Sequence, residues 1–319
     1  MKVSFWCPIL GCYNAAEGEG HPYFCSAMSI LVFGSLNIDH VYKVEHLVRP
    51  GETLPSTDYR RFQGGKGANQ SVALARAGAK VFHAGRIGPE GLWLRDAIAA
   101  EGVDVSHVGL DNEPTGHAII QVDPAGENSI LLFGGANLTV TPDDAHYVLS
   151  HFGEDDWLLL QNEISSLPAI LREASARQLT VAFNPAPMTP EVLDYPLEGV
   201  SLFVVNETEG AALAGIEKAP PASIVDKLRV RYPDAAILLT LGGEGSLFAS
   251  GEERIRTPAQ AVEAVDTTAA GDTFIGYFLA DLVAGQPAAQ ALEAATRAAA
   301  LCVSRPGAAA SIPRRNELD

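Results

Sequence analysis

VDTTAAGDTF, residues 265–274, is the segment from which the fold of this chain is best inferred. It places two carboxylates, Asp266 and Asp272, six residues apart with only small or hydroxyl side chains between them. Apolar residues follow at helical spacing until Gly285, a residue type that often ends helices. The pattern therefore predicts a helix over 271–284 with Asp272 in its first turn.

The small residues before Asp272 indicate an anion-binding site at the start of this helix. Unpaired backbone N–H groups at a helix N-terminus bind anions such as phosphate, and here they would belong to Ala269, Ala270 and Gly271. A neighbouring carboxylate can take the proton of an alcohol that attacks the bound phosphate. An acidic cap on a surface helix is the alternative, but such a cap does not require three small residues in front of the acid.

Composition and charge narrow the classes of function. The chain has 319 residues, of which 47% are hydrophobic and 19% charged, as in a globular protein with a large core. Its net charge of −17 argues against a nucleic-acid or anionic-membrane partner, because both bind basic surfaces. No apolar run approaches the roughly 20 residues of a membrane span. Four cysteines without a CxxC pair argue against a zinc site or a disulfide framework and favour a cytoplasmic location.

Residues 1–27 are interpreted separately from the fold. Their short apolar patch is broken by Pro8 and followed by the polar run EGEG at 17–20, which is not the pattern of a signal peptide. The first clear strand begins after Met28. We therefore expect 1–27 to be an upstream extension that is disordered or not native to the fold.

Strand-like and helix-like segments alternate from Met28 onward. Buried strands are predicted at 30–33, 79–83, 157–160, 180–183, 202–205 and 236–241. Helices are predicted at 67–77, 92–101, 167–177, 207–214, 221–231, 271–284 and 288–304. This alternation predicts an α/β fold of three layers, αβα, with a doubly wound and mostly parallel sheet between helices.

Two regions interrupt this alternation. Residues 38–63 alternate polar and apolar side chains, and residues 115–134 have the pattern of a hairpin that turns at DPAG, 123–126. Such strands do not fit a parallel core, so we expect them in a small separate sheet. A mobile sheet at the mouth of the core would act as a lid that excludes water, whereas an edge extension or a dimer surface is the simpler alternative.

The predicted division of the chain follows from these regions. Residues 1–27 are the extension. The β-lid comprises 38–63 and 113–137. The nucleotide- and sugar-binding core comprises the remaining segments, 28–37, 64–112 and 138–319.

A glycine-rich turn precedes the first predicted helix. In GGKGANQ, residues 64–70, the glycines allow the backbone to approach a ligand, and the helix begins directly after them. The spacing is not that of a Walker A loop, because Lys66 is followed by Gly67. Lys66 and Asn69 are therefore predicted to bind hydroxyl groups, with a solvated lysine on an ordinary turn as the alternative.

Other polar motifs follow predicted strands, where α/β sheets bind their ligands. Asn37 and Asp39 would lie on one side of an extended segment and suit the vicinal hydroxyls of a sugar, although both also suit a turn. Asn206 and Glu209 have the spacing of a helix capping box, and they also suit a site that orients water around Mg²⁺. The glycines of TLGGEG, 240–245, fit either a nucleotide or a hairpin loop.

Together these motifs resemble the ribokinase/PfkB family of sugar kinases over residues 30–313. The matching segments are GSLNIDH (34–40), PGET (50–53), GGKGANQ (64–70), GGAN (134–137), NPAP (184–187), NETE (206–209), LTLGGEG (239–245) and DTTAAGD (266–272). The resemblance implies ATP-dependent phosphorylation of a small sugar, D-ribose at its 5-hydroxyl, with Mg²⁺ and an activating K⁺. It also implies a homodimer formed through the β-lid.

The resemblance further implies roles for individual residues. Asp272 corresponds to the catalytic base, with the anion hole at Ala269, Ala270 and Gly271. The implied sugar ligands are Asn37, Asp39, Gly65, Lys66, Asn69 and Glu163. The implied nucleotide and Mg²⁺ residues are Asn206, Glu209, Thr240, Gly242, Gly245 and Thr296. The implied K⁺ ligands, several of them through backbone carbonyls, are Asp266, Thr268, Cys302, Arg305, Gly307 and Ser311.

Two alternative functions are consistent with the same sequence. One is a related kinase that acts on deoxyribose, another sugar or a nucleoside. The other is a sugar-binding regulator without turnover, against which the intact Asp272 and the small residues before it argue. A nicotinamide-dependent oxidoreductase is excluded because the G-x-G-x-x-G spacing after the first strand is absent.

Overall fold

Parallel strands form the centre of the molecule, as the buried apolar runs predict. The computed structural model describes residues 28–318. Its strands are β1 (Ser29–Phe33), β2 (Asn37–Lys43), β3 (Asp58–Gly64), β4 (Lys80–Ile87), β5 (Asp104–Leu110), β6 (Gly116–Val122), β7 (Asn128–Phe133), β8 (Trp157–Gln161), β9 (Thr180–Asn184), β10 (Val200–Asn206), β11 (Ala236–Thr240), β12 (Ser246–Ser250) and β13 (Glu253–Thr257). Its α-helices are α1 (Lys66–Arg76), α2 (Leu92–Ala100), α3 (Pro142–Leu149), α4 (Leu167–Ala176), α5 (Glu207–Ala214), α6 (Pro221–Arg231), α7 (Ala270–Val283) and α8 (Ala288–Val303).

The larger sheet has the strand order β13-β12-β11-β10-β9-β8-β1-β4-β5. All neighbours from β11 to β5 are parallel, whereas β12 is antiparallel to both β11 and β13. The strand order reverses at β1, which lies between β8 and β4. Ligands of open α/β sheets bind outside the carboxyl ends of strands at such a point, so the topology places a site beside the ends of β1 and β8.

Helices cover both faces of this sheet. Ile30 and Val32 of β1 pack into one core with α1, α2, α7 and α8. Leu31 and Phe33 point to the opposite face and pack into a second core with α3, α4, α5 and α6. Alternate side chains of one buried strand thus enter two different cores, which confirms the predicted three-layer fold.

A second sheet, in the order β3-β2-β6-β7, stands apart from the first. The predicted hairpin is present between β6 and β7, and the Asp123 carboxylate accepts the N–H groups of Ala125 and Glu127 within its turn. Strand β7 exposes a run of large apolar side chains, with Leu131 67% exposed. The small sheet expected from the sequence therefore exists, while its movement as a lid and the proposed domain bounds stay predictions.

Several elements differ from the sequence expectations. Strand β4 continues to Ile87, beyond the predicted end at 83, and helix α7 begins one residue earlier, at Ala270. The largely exposed strands β5 and β13 were not predicted, because their polar side chains hide the apolar pattern, and the short antiparallel strand β12 was not predicted either. The extension at 1–27 lies outside the described residues. No helix within 28–318 combines the length and apolar character needed to cross a bilayer.

Candidate active site

Helix α7 begins in the loop where the sequence predicts the catalytic carboxylate. Ala269 has a left-handed backbone with φ of 61°, and Thr273 donates its N–H to the Ala269 carbonyl at 2.8 Å. The N–H groups before Thr273 therefore lie outside the helical ladder, although that of Ala270 contacts the Thr267 carbonyl at 3.3 Å. Ala270 and Gly271 line a large cleft. The anion hole at Ala269, Ala270 and Gly271 stays a prediction.

The Asp272 carboxylate is 9% exposed and is held by two amides of helix α1. Asn69 Nδ2 donates to Asp272 Oδ2 at 3.1 Å, and Gln70 Nε2 donates to Asp272 Oδ1 at 2.9 Å. The two helices approach closely because Gly276 has no side chain, since a Cβ there would lie 2.4 Å from the Cβ of Ala73. Residues 203 positions apart in sequence thus fix the orientation of this carboxylate.

Lys66 places a positive charge among three carboxylates. Burial disfavours its charged form, but Asp272, Glu163 and Glu209 outweigh burial and raise the pKa of Lys66 above its usual value. The ammonium is therefore a cation at neutral pH. Its backbone N–H, at the start of α1, donates to Glu163 Oε2 at 3.0 Å. The charge of Lys66 thus interacts with the predicted base Asp272, the predicted sugar ligand Glu163 and the predicted nucleotide-side residue Glu209.

Two half-buried carboxylates lie on the predicted sugar side. Burial raises the pKa of Glu163 despite the opposing charge of Lys66 and a short hydrogen bond from the Ser35 hydroxyl. Burial and the charge of Glu163 raise the pKa of Asp39 to about 7. The Asp39 carboxylate packs onto Gly64, where a Cβ would lie only 2.2 Å from a carboxylate oxygen. Two acceptors held this close suit a ligand that presents several hydroxyl donors.

Asn37 is oriented by Asn137, a residue that the sequence interpretation did not single out. Asn137 is 1% exposed, donates from Nδ2 to Asn37 Oδ1 at 2.7 Å and accepts the Leu36 N–H at 3.0 Å. Because the side-chain oxygen of Asn37 accepts this bond, its amide nitrogen is the group left to donate to a ligand. The GGAN segment at 134–137 is the signal in the sequence that could have identified this residue.

A cleft of about 630 Å³ opens between the carboxyl end of β11 and the start of α7. Four predicted nucleotide residues line it, namely Thr240, Gly242, Gly245 and Thr296. Its other walls are largely apolar and include Val262, Ala264, Phe274, Ala299 and Val303. The Thr296 hydroxyl donates to the Leu292 carbonyl at 2.8 Å, so toward a ligand its oxygen serves as an acceptor. An apolar cleft that ends at the N-terminus of a helix suits a nucleotide, with its base in the cleft and its phosphates at α7.

The capping box predicted at 206–209 is present at the start of α5. Asn206 Oδ1 accepts the Glu209 N–H at 2.8 Å, and Glu209 Oε2 accepts the Asn206 N–H at 3.0 Å. The lining of the cleft, as found within residues 28–318, includes neither side chain. Burial raises the pKa of Glu209 despite the hydrogen bond from the Asn206 N–H and the charge of Lys66. The capping role is confirmed, and the role toward Mg²⁺ stays a prediction.

Four of the predicted cation residues lie in two adjoining loops, before α7 and after α8, and a fifth, Cys302, lies in the last turn of α8. Asp266 Oδ1 accepts the Thr268 N–H and Asp266 Oδ2 accepts the Gly307 N–H, both at 2.9 Å. Burial alone would raise the pKa of Asp266, but these hydrogen bonds outweigh it and lower the pKa. Cys302 Sγ lies 3.1 Å from Ser311 Oγ and 3.7 Å from the Thr268 carbonyl oxygen. The two loops are thus joined around an ionised carboxylate.

The sixth predicted cation residue, Arg305, directs its side chain elsewhere. Its guanidinium forms an ion pair with Glu317 at 2.8 Å, which leaves only its backbone in the loop. Within residues 28–318 no three His, Cys, Asp or Glu side chains are grouped as metal ligands. Asp266 is the one carboxylate among the six predicted cation residues.

Two amides that the sequence interpretation did not assign complete the surroundings of Asp272. Gln161 Nε2 donates to Gln70 Oε1 at 2.6 Å, and Gln70 Nε2 also lies 3.3 Å from Asn184 Oδ1. Gln161 and Asn184 are the last residues of β8 and β9, and each ends an otherwise apolar strand. A polar residue that ends a buried parallel strand was therefore the signal available in the sequence.

Comparison with known proteins confirms the resemblance inferred from the motifs. The sequence profile of the pfkB family carbohydrate kinases matches residues 27–315. A ribokinase from Haemophilus influenzae is 38% identical over 299 residues, covering 91% of this chain and 96% of that protein. The structure of a ribokinase from Cryptococcus neoformans in complex with ADP is similar with a TM-score of 0.80 and 35% identity, over 91% of this chain and 98% of that one. Arabidopsis thaliana ribokinase complexed with ribose and ATP is similar with a TM-score of 0.80 and 30% identity, over 92% and 97%.

Proposed function

The chain belongs to the pfkB family of carbohydrate kinases, and we propose that it transfers the γ-phosphate of ATP to the 5-hydroxyl of D-ribose. Relatives that are named ribokinases, one of them complexed with ribose and ATP, support this substrate pair. The observation that carries the proposal is the placement of Asp272. Its carboxylate is held by amides of α1 in the first turn of α7, directly after Ala270 and Gly271 of the cleft lining, and it acts on the charge of Lys66 together with Glu163.

The proposed reaction is an in-line displacement at phosphorus. Asp272 accepts the proton of the sugar hydroxyl as its oxygen bonds to the γ-phosphorus, and the bond from that phosphorus to the β–γ bridging oxygen breaks to release ADP. The N–H groups at the start of α7 stabilise the charge on the transferred phosphoryl group. Asn69 and Gln70 orient the base without neutralising it, because amides donate hydrogen bonds but do not transfer protons.

The sugar site combines acceptors and donors that match a polyhydroxylated ligand. Asp39 and Glu163 accept hydrogen bonds from hydroxyl groups, while Lys66 and the amide nitrogen of Asn37 donate hydrogen bonds to hydroxyl oxygens. Asn69 Oδ1 is buried and has no hydrogen-bond partner within residues 28–318, so it supplies a further acceptor for a hydroxyl. Each sugar hydroxyl both donates and accepts, and this mixed set pairs with vicinal hydroxyls.

Two cations belong to the proposal. Glu209 uses Oε2 in the capping box, which leaves Oε1 to orient the water shell of a Mg²⁺ that accompanies ATP and offsets phosphate charge. The Asp266 carboxylate, kept ionised by hydrogen bonds from two loops, suits a K⁺ held with backbone carbonyls near the start of α7. In that position K⁺ would add positive charge beside the transferred phosphate.

We also propose a homodimer formed through the β-lid, in the cytoplasm where ATP is present. Ile130, Leu131, Leu132 and Phe133 of β7 are between 45% and 67% exposed, and Ile119 of the adjoining β6 is 38% exposed. A contiguous apolar strand at a sheet edge is a surface that a second copy of the same sheet can cover. Leu131→Asp should shift a dimer toward monomer in analytical ultracentrifugation, and an unchanged mass would contradict this interface.

The experiment that tests the proposed activity is ADP release from Mg-ATP with ribose, 2-deoxyribose, fructose and adenosine, each with K⁺ or Na⁺. Turnover should be greatest with ribose and should increase with K⁺. Asp272→Asn should lower kcat by about 10²–10⁴-fold, the usual contribution of a positioned base. Preference for another acceptor would replace ribose as the substrate, and near-normal turnover by Asp272→Asn would refute the mechanism.

A further inference from the structure

We infer that Gln70 is a positioning residue for phosphoryl transfer, which holds the Asp272 carboxylate in the orientation that receives the proton. The inference rests on the proposed function, because it assigns Asp272 as the base. Gln70 is fully buried on α1, and its amide nitrogen donates to Asp272 Oδ1 at 2.9 Å. It acts on the reaction through this contact and does not itself reach the reacting atoms.

The orientation of the Gln70 amide is determined by its neighbours on both sides. Gln161 Nε2 donates to Gln70 Oε1 at 2.6 Å, so the oxygen of Gln70 must face Gln161. The ionised carboxylate of Asp272 can only accept, so the nitrogen of Gln70 must face Asp272. A flipped amide would set oxygen against oxygen at one end and nitrogen against nitrogen at the other.

The same chain of amides ties Asp272 to the central sheet. Gln161 ends β8 and Asn184 ends the neighbouring β9, and the two residues are register partners. The Asn184 Oδ1 lies 3.3 Å from Gln70 Nε2, while Asn184 Nδ2 donates to the Val204 carbonyl at 2.9 Å. The carboxylate is therefore braced against two strand ends through one side chain of α1. This bracing limits movement of the Asp272 carboxylate, and a misplacement of about 1 Å of a catalytic group can lower a reaction rate about 100-fold.

The second amide on Asp272 is not anchored to the sheet in this way. Asn69 is the other donor, but in the proposed function it binds the sugar. It does so through Oδ1, which has no hydrogen-bond partner within residues 28–318, so Gln70 is the amide that fixes Asp272 relative to the strand ends. The remaining charged groups that act on Asp272 are Lys66 and Glu163, whose opposite charges do not set the direction of its oxygens.

Two variants of Gln70 distinguish positioning from simple packing. Gln70→Leu removes the donor and should lower kcat about 10–100-fold, with the KM for ribose changed less than about threefold. Gln70→Glu keeps the shape, and its introduced carboxyl can donate only while it is protonated. The kcat of Gln70→Glu relative to the unmodified enzyme should therefore be greatest near pH 6 and fall about tenfold or more by pH 9. Ribose affinity measured by calorimetry should stay near normal in both variants.

Ser71→Ala is the matched control for damage to α1. Ser71 is the next residue, equally buried, and its hydroxyl lies 2.7 Å from His83 Nδ1, away from Asp272. This variant should have a lower melting temperature but an unchanged kcat and an unchanged pH profile of kcat. The inference is overturned if Gln70→Leu has normal kcat, if its effect falls on KM alone, if Ser71→Ala lowers kcat equally, or if Gln70→Glu shows the unmodified pH profile. Failure of the unmodified enzyme to phosphorylate ribose would instead refute the proposed function.

Discussion

Replacing Asp39 with asparagine should stabilise the ligand-free protein while weakening its binding of ribose. Burial and the charge of Glu163 raise the pKa of Asp39 from 3.8 to about 7. In the unfolded chain the ordinary pKa returns, so the ionised carboxylate destabilises the folded state. One pKa unit corresponds to about 1.4 kcal/mol, which makes the penalty about 4 kcal/mol above pH 7 before relaxation and water entry reduce it.

The pH dependence of this penalty follows from its sign. A pKa raised on folding means that the folded state holds the proton more tightly than the unfolded state. The stabilising effect of that proton is complete below about pH 4 and is lost as the pH rises to about 7. Asp39→Asn carries no charge, so its advantage in unfolding free energy over the unmodified protein should grow by about 3 kcal/mol from pH 5 to pH 8.

Urea unfolding of the ligand-free proteins at pH 5, 6, 7 and 8 measures this difference. Asp58→Asn is a matched control on the same small sheet, because its side chain is 38% exposed and pairs with Arg60 at the surface. Calorimetry should show that Asp39→Asn binds ribose about 10–100-fold more weakly, as hydrogen bonds to charged groups are worth about 1.5–3 kcal/mol. A stability difference that does not change with pH would refute the assigned burial of the Asp39 charge.

Three other perturbations test different parts of the structure. Gly64→Ala places a Cβ 2.2 Å from an Asp39 oxygen, so ribose affinity should fall about tenfold while ATP affinity changes little; equal losses for both ligands would argue against a sugar role. Gly276→Val drives α7 away from Ala73 and should lower kcat about 100-fold in a steady-state assay. A lower melting temperature with normal kcat would show that the contact between α1 and α7 does not determine the position of Asp272. Burial lowers the pKa of His83 to about 4. The contribution of neutral His83 to the free energy of unfolding is therefore fully present above about pH 6.5 and declines as the pH falls toward 4. Between pH 7 and pH 5, the free energy of unfolding of His83→Gln, measured in urea, should fall by about 2 kcal/mol less than that of the unmodified protein. Equal decreases would show that His83 is not buried in its neutral form.

Features that depend on neighbours in sequence were predicted well. Asp272 lies in the first turn of α7, Asn206 and Glu209 form their capping box, and the hairpin between β6 and β7 turns at DPAG, 123–126. Each of these features is encoded within about four residues, where backbone geometry leaves few alternatives. Local chemistry therefore sufficed to locate the predicted base and the helix starts.

Contacts between distant residues were not predictable in the same way. Gln70 meets Gln161 across 91 positions and Asp272 across 202, and Asn37 meets Asn137 across 100. A buried amide on a helix has the same local pattern whether it braces a carboxylate or caps a turn. Only the folded chain shows which donors face which acceptors, and that direction is what distinguishes a positioning residue from a packing residue.

The arrangement of unpaired groups, more than the shape of the pocket, should set the preference for a sugar with many hydroxyls. Asn69 Oδ1 is buried without a partner within residues 28–318, and burial raises the pKa of both Asp39 and Glu163, so each carboxyl group gains from a hydrogen-bond donor when it is ionised. A ligand hydroxyl that donates to such a group removes a desolvation penalty as well as adding a contact. A sugar lacking that hydroxyl fits equally well but leaves the acceptor unpaired, which costs about 1–3 kcal/mol for each group. Discrimination between ribose and 2-deoxyribose should therefore come from the acceptors of the protein, and it should weaken when Asn69 is replaced by leucine even though the pocket remains filled.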